Sequence, residues 1–172
     1  RRRIILDIFE EYINKKNESS WVKRALTDPS FNDYRKRGVK KRDPKFSELN
    51  APLPVNTDLA TYGDAVIKLC YLEIMFDKEK KLTEAKSKVE SDEYLVDVVA
   101  RHYDLLNFID RDKADGKRPN DYNYSSYDNT NNNPCKYIAT AVEAVIGAIY
   151  KETKDLKPII ELLNNWLELQ NS

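Results

Sequence analysis

Cysteine and histidine are nearly absent from this 172-residue chain, which holds two of the first, Cys70 and Cys135, and one of the second, His102. Two such cysteines make no disulfide framework, so a reducing, intracellular setting (cytoplasm or nucleus) is expected. Too few Cys and His remain for a zinc cluster, and no Ser-His-Asp set or glycine-rich phosphate loop can be assembled. Only four glycines and seven prolines interrupt a chain rich in Lys, Glu, Leu and Ala, which predicts a mostly helical protein. No apolar run is long enough to span a bilayer, so no membrane partner is expected. Net charge is zero, with 29 basic and 29 acidic residues, which excludes a surface that is basic all over.

What is present is concentrated in two stretches. Asn56 to Cys70 reads N-T-D-L-A-T-Y-G-D-A-V-I-K-L-C. Leu59, Tyr62, Ala65, Val66, Leu69 and Cys70 recur at helical spacing, and Ile67 makes the run apolar on nearly every side. One carboxylate, Asp64, stands in its middle, and a buried unpaired carboxylate is costly, so a cation or several donors should face it. Lys136 to Lys151, K-Y-I-A-T-A-V-E-A-V-I-G-A-I-Y-K, repeats the pattern with Glu143 at its centre, and Gly147 leaves room for another helix to approach closely. Two apolar helices with one central acid each suggest a shared site. Two carboxylates, completed by water and a substrate phosphate, are a usual setting for Mg²⁺. The plain alternative is a pair of helix-surface acids in structural salt bridges.

The rest of the chain reads as helical frame. Ile5, Ile8, Phe9, Tyr12 and Ile13 form an amphipathic stripe ending near Lys15 to Asn17. Ser19 or Ser20 caps a short helix carrying Trp21, Val22, Ala25 and Leu26, which stops at Asp28-Pro29-Ser30. Asn56 or Thr57 is the expected cap of the Asp64 helix, which is carried to about Phe76. Lys80-Lys81-Leu82-Thr83 is expected to cap a helix over Ala85 to Val89, and Ser91 one from Asp92 to about Asn107. Leu95, Val98, Val99, His102, Leu105 and Leu106 trace the apolar side of the latter, so His102 reads as a core or dimer-contact residue rather than a base. Pro158 opens a last helix with Ile159, Leu162, Leu163, Trp166 and Leu167 facing inward. A polar insertion at about 110–135, with Tyr122, Tyr124 and Tyr127, interrupts the frame. Arg35, Lys36, Arg37, Lys40, Lys41 and Arg42 form a local basic patch, suited to phosphates and equally to a solvated loop.

Four segments resemble the ribonuclease III endonuclease domain. Trp21 to Phe31, W-V-K-R-A-L-T-D-P-S-F, is similar to A-[LF]-T-H-P-S-[YF], with Asp28 in place of His. Asn56 to Asp64 lies on the signature N-E-R-L-E-F-L-G-D, keeping Asn56, Leu59, Gly63 and Asp64. Leu82 to Leu95 follows L-T-x-x-[RK], and Lys136 to Tyr150 is similar to K-x-L-A-D-x-F-E-A-[LI]-I-G-A-[IL]-Y. The resemblance implies one all-α endonuclease domain over 1–172, a symmetric homodimer, and cleavage of double-stranded RNA with Mg²⁺, for which Mn²⁺ can substitute. It implies no double-stranded-RNA-binding domain in this stretch. It assigns catalysis and metal binding to Asp64 and Glu143, and RNA contacts to the basic patch.

Two family acids are replaced: Ala60 stands one turn before Asp64, and Thr140 one turn before Glu143. Thr57 replaces another signature acid, and Asp58, two positions from Ala60, points too far round the helix to stand in for the acid lost there. The mini-ribonuclease III subgroup is similar here, with L-A-x-x-G-D-A and A-T-x-x-E-A around the two acids. That similarity implies retained cleavage with a weakened site. The alternative it leaves is a degenerate member that binds double-stranded RNA or a ribonucleoprotein partner without cutting.

Overall fold

The structure, a computed structural model, describes residues 7–42, 51–112 and 135–169, with backbone alone at 37–42. It is built of helices: α1 (Ile8–Asn14), α2 (Ser20–Ala25), α3 (Ser30–Arg42), α4 (Thr57–Met75), α5 (Leu82–Val89), α6 (Asp92–Tyr94), α7 (Lys136–Thr153) and α8 (Lys157–Leu169). α6 runs directly into a π-helical segment, Leu95–Ala100, and a 3₁₀ turn follows at Leu105–Asn107. Among the described residues the only β pairing is a single parallel bridge between Thr27 and Asp110. The expected all-α class is what the chain adopts.

α4 and α7 are the central pair. α1, α2 and the π segment lie against α7, and α8 lies against α4. The reason is compositional: from Ile138 to Ile149 every residue of α7 except Thr140 and Glu143 is buried, so it must be surrounded. α1 and α8 close the core through Phe9 and Trp166, both fully buried and packed edge to face at 5.5 Å. Buried polar groups there are paired. Trp166 Nε1 donates to the Tyr103 hydroxyl at 2.9 Å, which donates to Asp7 at 2.5 Å, while the Tyr94 hydroxyl donates to the Trp166 carbonyl at 2.7 Å.

The caps at Ser19 and Ser91 form as read, accepting from the amides of Val22 and Tyr94. Three expectations need correction. α5 starts at Leu82, before the expected Ala85, with Lys81 of the expected cap segment at its N-cap position and no side-chain capping bond. Asn56 precedes α4, but its side chain makes no capping bond. Its backbone amide instead donates to the Thr27 carbonyl at 3.1 Å, tying α4 to the end of α2. His102 is exposed, not core. The inward stripe is instead Leu95, Val96, Val99, Ala100 and Tyr103. Asp104, with φ at 50°, then ends the helix well before Asn107.

The basic stretch also differs from a loop. Ser30 to Arg42 is helical, and Asp28 starts it by accepting from the Ser30 amide at 2.9 Å. The tyrosines of the insertion and Ile5 lie outside the described residues.

Candidate active site between α4 and α7

The site begins with a contact that has no room for a side chain. A Cβ placed on Gly63 would lie 1.8 Å from the Glu143 carbonyl oxygen, and one on Gly147 would lie 2.3 Å from that of Leu59. α4 and α7 therefore cross backbone to backbone, each glycine seated on the other helix. Asp64 follows Gly63 immediately, and Glu143 is the residue on which Gly63 rests. The close crossing sets both acids at one helix–helix junction.

Their electrostatics agree with that placement. The Glu143 carboxyl is pushed up to about 7, first by burial, then by the negative charges of Asp64 and Asp92, with Lys68 and Lys136 opposing. Asp64 is about one third exposed and pairs with Lys68, whose Nζ lies 2.7 Å from Oδ2. Asp92, the first residue of α6, was not singled out from the sequence. The Ser91 cap located its helix, but only packing brings the start of α6 within the field of Glu143.

The two replaced positions are also in place. Ala60, one turn before Asp64, is buried at 5% exposure. Thr140, one turn before Glu143, donates its hydroxyl to the Lys136 carbonyl of its own helix at 3.1 Å. Asp58 lies outside the site, its side chain 86% exposed and bonded to Arg24 at 2.9 Å.

Among the described residues no group of three or more His, Cys, Asp or Glu side chains is arranged to hold a metal ion. The pair Asp64 and Glu143 nonetheless suits a hard divalent cation. Both offer carboxylate oxygens, and a cation beside Glu143 would offset the burial, and then the Asp64 and Asp92 charges, that push its carboxyl up to about 7.

Two further surfaces border α4. Of the basic patch, Lys36 is exposed, with its ammonium 3.7 Å from Asp33, and Arg35 reaches the Ala51 carbonyl at 3.4 Å. Arg37, Lys40, Lys41 and Arg42 follow on the same helix, their side chains outside the described residues. On α4 Leu69 is 44% exposed, and Phe76, the residue that caps its C-terminus, is 69% exposed, so the helix is not covered on every side. Leu72, Glu73, Ile74, Phe76, Asp77 and Lys78 line a shallow groove of about 380 Å³ at its C-terminal end. No described helix is long and apolar enough to cross a membrane.

No curated protein sequence matches the chain. The family model of the ribonuclease III domain matches residues 57–154, more than half of it, from the first residue of α4 to the end of α7. Both acids, both crossing glycines and the π segment fall inside that match. The chain belongs to the ribonuclease III family.

Proposed function

We propose that this protein is an endoribonuclease that hydrolyses phosphodiester bonds on both strands of double-stranded RNA, the substrate class of its family. The observation that carries the reading is the Gly63–Gly147 crossing, which sets Asp64 in the electrostatic field of a Glu143 carboxyl raised to about 7. Asp64 and Glu143 are the residues that would hold Mg²⁺ or Mn²⁺. Bound there, a divalent ion supplies activation of water and neutralisation of charge developing on the phosphodiester. The chain's own part is to fix two carboxylates on rigid helices and to release the Glu143 proton to solvent. Arg35, Lys36, Arg37, Lys40, Lys41 and Arg42 then track the phosphates of the A-form duplex, which is held mostly by backbone contacts.

A symmetric homodimer would place two such sites on opposite strands. The exposed Leu69 and Phe76 on α4 support a contact with a second copy, because large apolar side chains at this exposure gain from being covered. In sedimentation analysis the wild type should run as a dimer and Leu69→Glu with Phe76→Glu as a monomer. A monomeric wild type would remove the two-strand geometry.

A second reading is favoured by the buried Ala60 and by the Thr140 hydroxyl turned back onto its own helix: a member that retains RNA without cutting it. Long double-stranded RNA incubated across a Mg²⁺ and Mn²⁺ titration, beside Asp64→Ala, separates the two. Cleavage by the wild type that vanishes in the variant is expected. RNA retention with no cleavage at any metal concentration supports the binding protein, and cleavage surviving Asp64→Ala removes the site assignment.

A further inference from the structure

Lys68 follows Asp64 by one turn of α4, and its ammonium lies 2.7 Å from Asp64 Oδ2. An i,i+4 ion pair on a helix surface ordinarily contributes about 0.3–0.5 kcal/mol and nothing else. This one has a different neighbour. Asp64 follows Gly63, which is seated on the Glu143 backbone, so the ammonium bonded to Asp64 stands at the helix–helix junction that carries both acids. The pair sits at the mouth of the site, the lysine side chain 45% exposed and so able to swing into water.

We infer that Lys68 is the resident counter-cation of the Asp64–Glu143 site, the charge that a divalent ion must displace from Asp64, and that it sets how much metal the protein needs. The inference rests on the metal-site reading above. Lys68 acts in the same direction as the replacements at Ala60 and Thr140, which each remove a family carboxylate: it places a positive charge beside one that remains. Lys68 is a positioning residue, acting through Asp64.

The test is Mn²⁺ binding to the RNA-free chain at about pH 8, read by electron paramagnetic resonance and calorimetry, where Glu143 has lost its proton. Lys68→Met should bind Mn²⁺ about tenfold more tightly than the wild type, while Lys68→Arg, which keeps the charge, stays within about twofold. Asp64→Asn should lose binding in either background. A Lys68→Met affinity within about twofold of the wild type overturns the inference and leaves the metal site standing. Equal tightening in Lys68→Arg also overturns it, since packing rather than charge would then be responsible. No Mn²⁺ bound by wild type or Lys68→Met overturns both the inference and the metal-site reading beneath it. Circular dichroism of each variant reports folding, which a half-exposed helix residue should not disturb.

Discussion

Glu143 offers the most direct measurement of what the α4–α7 crossing does. Its carboxyl is raised from the ordinary value of 4.5 to about 7, and burial is the leading cause. The unfolded chain therefore releases this proton near pH 4.5, while the folded chain keeps it until about 7. Between those values the native state binds more protons, so stability falls as pH rises. The contribution is fully present below the ordinary value and is lost through about 7. At about 1.4 kcal/mol per unit the loss has an upper limit of about 3 kcal/mol, which water at the half-open mouth reduces to roughly 1–3. Glu143→Gln removes the charge but keeps the shape. In urea denaturation with chelator present, the variant should match the wild type near pH 4 and be more stable by that amount near pH 8. On a thermal scan the difference is roughly 2–10 °C for a chain of this size. Added Mn²⁺ should restore the wild type at pH 8 and leave the variant unmoved. Parallel pH profiles for the two proteins, without metal, would refute the claim that burial at the α4–α7 crossing makes the folded chain hold the Glu143 proton.

Gly63→Ala would drive a methyl carbon to 1.8 Å from the Glu143 carbonyl, a backbone atom that cannot turn aside. A loss of about 3 kcal/mol or more, or failure to fold, is expected in denaturation, and a loss below about 1 kcal/mol would contradict the crossing. Ala60→Glu with Thr140→Asp should lower the Mn²⁺ concentration needed for cleavage, and should stabilise the protein only when metal is present. The buried Ala60 position makes a metal-free loss of about 1–3 kcal/mol the accompanying cost, and unchanged metal demand would show that these two positions do not reach the site.

Much of the frame was legible because it depends on local chemistry. The Ser19 and Ser91 caps and the stripes of α1 and α8 follow from spacing that any isolated helix would show. The Gly147 approach was also legible, since a glycine inside an apolar helix has few other uses. Where reading failed, a non-local term intervened. His102 lies beside the buried stripe of Leu95, Val96, Val99, Ala100 and Tyr103, because packing decides which side of a helix turns inward where apolar residues lie on more than one. α4 was read as apolar all round, yet Leu69 and Phe76 face outward, because periodicity does not say how many neighbours a helix will receive.

The site divides along the same line. Its two acids, the family they belong to and the loss of acids at Ala60 and Thr140 are properties of residue type and order, which a chain carries before it folds. That Asp64 and Glu143 stand at one helix–helix junction is a property of the α4–α7 crossing, where two backbones touch because neither glycine has a side chain. Folding also brought Asp92 and Lys68 within electrostatic reach of Glu143. Charge acts through space, and only the packed helices determine which charges are close enough to compete for a metal.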